Sequence, residues 1–236
     1  MPNEESDWPE GWSQFRKARD FALKNFESLP EHFGSDLSRM AELSFADLAI
    51  SLNPRIKTEI PTSNRVFHIV PEDIAGRLSG AAHDNWDAYM IAREICERNT
   101  YNGAPLPPSL RAFAAQLISG RFPIPKRRGA KPSQDFGQRW VLWETANFLV
   151  DAFEITLTRN DASHNTSACD AVVEAAQAVG FELKYTTLRD WCTHKDYDGF
   201  RVRAQALSDL VKDEFLRQAG ILRRNGRSGL FDFRPV

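Results

Sequence analysis

Residues 166–195, TSACDAVVEAAQAVGFELKYTTLRDWCTHK, decide how this chain is read. Thr166 or Ser167 can cap a first helix, with Asp170 three residues beyond Ser167 in a weaker relative of the Ser-x-x-Glu box. The helix carries Ala168 to Val179 and stops at Gly180, the residue best suited to a left-handed C′ position. After Phe181-Glu182-Leu183 a second short helix starts near Lys184, with Leu188 and Trp191 three apart on one face. Ala176 is small enough for two helices to cross closely, and Val179, Leu183, Leu188 and Trp191 would fill the angle between them. This is the pattern of a helix-turn-helix, whose second helix enters a major groove. The connection is about two residues longer than the 3–4-residue turn of that motif. Lys184 stands where a Ser or Thr cap is expected, although Thr186 offers a substitute. Two ordinary packed helices of an α-helical core would read the same way.

The surroundings favour the groove-reading alternative. Residues 111–236 hold 19 Lys and Arg against 15 Asp and Glu, a net of +4, whereas residues 1–110 hold 11 against 17, a net of −6. The overall charge of −2 thus hides an acidic front and a basic back, an asymmetry that suggests an anionic partner. The sharpest cluster is the arm 121–132, RFPIPKRRGAKP, with Arg121, Lys126, Arg127, Arg128 and Lys131. Its prolines forbid a helix and favour an extended course that can track phosphates or lie in a minor groove. A solvated linker kept soluble by charge is the bland alternative.

With 236 residues and 42% hydrophobic content the chain can bury one sizeable core or two small ones. Sixteen Phe and six Trp argue for a folded rather than a disordered protein. No apolar run approaches the roughly 20 residues of a bilayer span, and the acidic N-terminus lacks the features of a signal peptide. Cys96, Cys169 and Cys192, odd in number and without paired spacing, are expected as reduced thiols in a cytoplasmic protein.

The rest of the chain reads as almost entirely helical. Trp12, Phe15, Ala18, Ala22, Phe26 and Leu29 recur at three- and four-residue steps, which predicts a helix over 12–29 ended by Pro30. A second helix is expected over 36–52 with Asp36 as cap, closed by Asn53-Pro54, and 54–64 as a polar connection. The run 65–70, RVFHIV, is the best strand candidate, short and solitary. Pro71 opens a brief helix to about 79, and 84–99 forms another with Trp86, Tyr89, Met90 and Ile95 inward. The Gly/Pro-rich break 101–108 divides the expected domains, 1–102 and 103–236. Beyond it a helix over 109–119 closes at Gly120.

The helix 138–155 is apolar nearly all round, with only Glu144, Asn147, Asp151 and Glu154 as a polar stripe. So wide a surface must be covered, either as a central core helix or with one side forming a homodimer interface. The last helix spans 200–219, and the tail after it clusters Arg223, Arg224 and Arg227 in a Gly-rich setting. That tail is read either as a second phosphate contact or as a segment docked through Leu230, Phe231 and Phe233.

No Gly-rich phosphate loop, His-Glu-x-x-His, Gly-x-Ser-x-Gly or Cys-x-x-Cys is present in the sequence. Cys169, Cys192 and His194 are three soft donors with no evident fourth, short of a structural zinc site. Asp190, Asp196 and Asp198 lack the lysine or glutamate of a nuclease array. No cofactor, metal or catalytic residue is therefore assigned, although distant segments can still assemble a site.

Gly103-Ala-Pro-Leu-Pro-Pro-x-Leu110, Arg128-Gly-Ala-Lys-Pro132, Ser167-Ala-Cys-Asp-Ala-Val172 and Tyr185-Thr-Thr-Leu188 resemble uncharacterised bacterial proteins often encoded near mobile elements. The resemblance covers about 103–195 and implies a bacterial origin and a helix-turn-helix-like C-terminal half, but no reaction. The expectation is a mainly α protein: a bundle-like helical N-terminal part, and a C-terminal helical domain carrying the helix-turn-helix-like unit. It would act as a cytoplasmic, homodimeric DNA-binding regulator or mobile-element accessory factor. Thr186, Thr187 and Arg189 would face the groove, and Lys184, Lys195, Lys126, Arg127, Arg128 and Lys131 the phosphates. The alternatives are a protein-interaction adaptor or inhibitor whose acidic N-terminal half docks a partner, and a nucleic-acid enzyme such as a nuclease.

Overall fold

The computed structural model describes residues 12–60, 66–126, 135–160 and 166–218, with the backbone alone at 12 and 213–218. It is mainly α-helical. In chain order the elements are α1 (Trp12–Phe33), α2 (Phe45–Ser51), β1 (Lys57–Glu59), β2 (Phe67–Ile69), α3 (Glu72–Ala81), α4 (Trp86–Tyr101), α5 (Pro108–Ile118), α6 (Phe136–Phe153), α7 (Ala168–Ala178), α8 (Tyr185–Thr193) and α9 (Asp198–Gln218), with 3-10 turns at Arg39–Glu42 and Lys195–Tyr197. No helix among the described residues is long and apolar enough to cross a membrane.

The chain divides into two compact units, each made of two segments: Met1–Leu43 with Pro132–Ala204, and Ser44–Lys131 with Gln205–Val236. The break at 101–108, expected to separate 1–102 from 103–236, is instead a loop inside the second unit. There Ala104 N–H donates to Asn99 O at 2.8 Å, tying the loop to the last turn of α4.

In the first unit, α7 is buried along most of its circumference, from Ala168 through Ala176, and packs against α1, α6 and α8. Ala168, Ala171, Ala175 and Ala176 of α7, with Ala18 and Ala22 of α1, are buried and leave room for close helix packing. Helix α1 runs antiparallel to α6: Phe21 stacks on Phe148 at 4.9 Å, Asn25 Nδ2 donates to Thr145 Oγ1 at 3.0 Å, and Phe33 meets Trp140 edge-on at 6.3 Å. Gly137 lets the first turn of α6 approach the 39–43 turn. A Cβ there would lie 2.6 Å from Met40 O, and Gly137 N–H donates to Leu43 O at 3.1 Å.

Two expected boundaries in this unit and the next move for local reasons. Helix α1 continues one turn past Pro30; Gly34, at φ +64°, ends the helix and donates to Pro30 O at 2.9 Å. The single helix expected over 36–52 is instead a 3-10 turn and α2. Leu43 is extended at ψ 118°, and Ser44 opens α2 with a complete capping box to Asp47.

In the second unit, α3 packs on α4 and α5, and α2 packs on α4. The expected strand at 65–70 is present as β2 but is not solitary: it pairs antiparallel with β1, Thr58 opposite His68. All three β1 residues are exposed, so no alternation marks the strand in the sequence. Asn99 of α4 extends the ladder with its side chain, accepting from His68 N–H at 2.8 Å and donating to His68 O at 2.8 Å and Pro105 O at 3.2 Å. Tyr89, Phe113 and Phe122 form an aromatic cluster, with His83 4.6 Å from Phe122.

Candidate nucleic-acid interface

Helix α7 begins at Ser167, whose hydroxyl donates to Asp170 Oδ2 at 2.6 Å and accepts from Asp170 N–H at 3.3 Å, while Ser167 N–H donates to Asp170 Oδ2 at 3.2 Å. The weak box read from the sequence is therefore complete, and buried. The other carboxylate oxygen, Oδ1, accepts from Arg159 Nε at 3.1 Å. Arg159 in turn lies over the Tyr185 ring at 4.6 Å, and its N–H donates to Tyr185 Oη at 3.0 Å. One arginine thus joins the start of α7 to the start of α8. Nothing in the sequence near Arg159 marks this role, because the partners come from separate segments.

The helix ends in a Schellman motif. Gly180 has φ +81°, Phe181 N–H donates to Ala176 O at 2.9 Å and Gly180 N–H to Gln177 O at 3.0 Å. Gln177 Nε2 then donates to Leu183 O at 3.2 Å and holds the connection to α8. Lys184 occupies the N-cap of α8 without a side-chain cap bond, and Thr186 lies inside the helix instead of capping it.

Leu188, Trp191 and Cys192 turn inward from α8. Arg139, paired with Asp135 at 2.9 Å, lies 4.9 Å over the Trp191 ring and 5.9 Å from that of Tyr197. The Cys192 and Cys169 thiols hydrogen-bond to each other, and this contact together with burial pushes the Cys169 thiol far up from its ordinary range. All three cysteines are free and buried. His194 Nδ1 accepts from Asp196 N–H at 3.3 Å. Among the described residues no three His, Cys, Asp or Glu side chains converge as a metal site would require.

The opposite face of α8 is open. Lys184, Thr186 and Thr193 are exposed, Thr187 and Arg189 half-buried, and Lys195 is exposed just beyond the helix. Arg189 Nε and Nη2 both reach Asp190 Oδ1, at 3.2 and 3.1 Å, so its guanidinium is held alongside the helix by its neighbour. Over 184–198 the three cations Lys184, Arg189 and Lys195 are balanced by Asp190, Asp196 and Asp198.

The arm is anchored at its start. Phe122 is buried in the aromatic cluster, Pro125 is buried, and Lys126 is exposed immediately beyond. Arg127, Arg128 and Lys131, and the arginines of the tail, lie outside the described residues. The charge division follows the two units more sharply than the two halves of the sequence. The unit formed by 1–43 and 132–204 holds 12 Lys and Arg against 20 Asp and Glu, a net of −8. The unit formed by 44–131 and 205–236 holds 18 against 12, a net of +6. The arm, up to Lys131, belongs to the basic unit and α8 to the acidic one.

No protein-family profile, curated protein or solved structure matches the chain.

Proposed function

We propose that this protein binds double-stranded DNA, with the open face of α8 reading bases and the basic arm holding phosphates. The reading suits a cytoplasmic bacterial regulator or mobile-element accessory factor acting as a homodimer. The observation that carries it is the α7–α8 pair. Arg159, the Schellman turn and the buried Trp191 fix the inner side of α8, leaving Lys184, Thr186, Thr187, Arg189 and Lys195 as its outward polar set. A helix so fixed presents a defined row of donors, the requirement for groove recognition. The acidic unit supplies no long-range attraction, so affinity falls to the cations of the other unit, Lys126, Arg127, Arg128 and Lys131 foremost.

The test compares Arg189→Ala with Lys126→Ala on duplexes selected by the wild-type protein. Arg189→Ala is expected to cost about 1–3 kcal/mol and relax one base position, whereas Lys126→Ala weakens binding to all sequences alike. Unchanged base preference in Arg189→Ala would show that α8 does not read the groove.

A second reading, a protein-interaction adaptor, is favoured by the −8 charge of the α8-bearing unit and by the Arg189–Asp190 pair. Such a surface suits a basic protein partner, with charge serving association rate.

A further inference from the structure

Phe21 and Phe148 are stacked on each other at 4.9 Å, yet are 39% and 46% exposed. Phe153 lies beside them, 5.9 Å from Phe21. A stacked aromatic pair left in water on a helix pair is an unfinished core rather than scattered surface apolarity. On the helical stripes that carry the two rings the charges are sorted by helix. On α1, exposed Lys17 and Lys24 flank Phe21 at four and three residues, on the same stripe. On α6, exposed Asp151 follows Phe148 by three residues, and exposed Glu154 ends the helix. Among the described residues none of these four charges forms an ion pair.

We propose that the α1–α6 face is where a second copy of this chain docks, forming a four-helix interface about a two-fold axis parallel to the helices. Charge selects this axis. It lays α1 of each copy on α6 of the other, so the lysine stripe meets an acidic one and Phe21 of one copy covers Phe148 of the other. Because α1 and α6 are antiparallel, Lys17 then lies level with the acidic end of the second copy's α6, at Asp151 and Glu154. An axis perpendicular to the helices would set the Lys17–Lys24 stripe against itself, and like charges oppose that packing.

Sedimentation velocity of the full chain tests the proposal without DNA, so its outcome is separate from that of the DNA reading. The wild-type protein is expected to sediment as a dimer at micromolar concentration. Phe148→Lys should sediment as a monomer while retaining its helical circular dichroism, since the residue it replaces is half-exposed. Lys17→Glu and Asp151→Lys should each weaken self-association about tenfold, and mixing the two variants should restore dimers at wild-type strength, because only the mixed pair has opposite charges at both contacts. A monomeric wild-type protein, a Phe148→Lys variant as dimeric as wild type, or a mixture no stronger than its components would overturn the assignment.

Discussion

Both units use buried polar side chains to join separate segments, but they finish the task differently. In the acidic unit Asp170 takes bonds from Ser167 and Arg159, and the other fully buried polar groups described there also find partners: Gln138 donates to Leu37 O and Thr145 accepts from Asn25. In the basic unit Asn99 joins α4 to β2 and to the 104–105 loop with equal economy. Yet all four buried side-chain atoms without a partner among the described residues lie in that unit: Asn53 Nδ2, His68 Nε2, Arg77 Nε and Trp86 Nε1. A buried polar atom left unpaired costs about 1–3 kcal/mol. The described buried polar groups around α7 and α8 are paired, whereas the basic unit keeps unsatisfied ones.

Removing the carboxylate of Asp170 breaks the comparison most directly. Asp170→Ala leaves Arg159 without its ion pair and the Ser167 cap open. Chemical denaturation should show a loss of about 4 kcal/mol, near the usual cost of breaking a buried pair. A loss below about 1 kcal/mol would mean that the site relaxes and that α8 is not fixed by this network.

The basic unit should respond to pH through His68. Burial above all, and then the positive charge of Arg98, lower its pKa from 6.5 to about 4, while Asp47 opposes the shift. Between these values the unfolded chain takes up a proton that the folded chain refuses. Stability is therefore complete above the unfolded value and falls as pH drops from 6.5 toward 4, by at most about 3 kcal/mol. Comparing denaturation of the wild type and His68→Gln across that window isolates the histidine from the carboxylates. Equal slopes in the two proteins would contradict the assignment.

What the sequence made legible follows the reach of each interaction. The Ser167–Asp170 box, the stop at Gly180 and the apolar stripe of α1 are encoded within a few residues, and all are present. Asn99 was not legible, because His68 lies 31 residues away and nothing local distinguishes this asparagine from a helix-surface residue. Arg159 is hidden for the same reason. Strand β1 carries no periodicity because it is exposed on every residue, and its pairing depends on β2. Each unit is assembled from two separated segments, an arrangement that a linear reading of Gly/Pro breaks does not carry. At the proposed interface Lys184, Thr186, Thr187, Arg189 and Lys195 are read from the residue types of the second helix and its flanks. The restraint of Arg189 by Asp190 needed the side-chain geometry.

In the proposed function the two units divide the work on DNA, the basic arm holding and α8 reading. Its most direct test is retention of a random duplex library by the full chain at about 50 and 200 mM salt, with sequencing of what is retained. Strong retention is expected at the lower salt, with a steep loss at the higher and enrichment of a two-fold-related motif. No retained DNA at the lower salt would contradict it, and the acidic unit would then be examined as a docking surface for a basic protein.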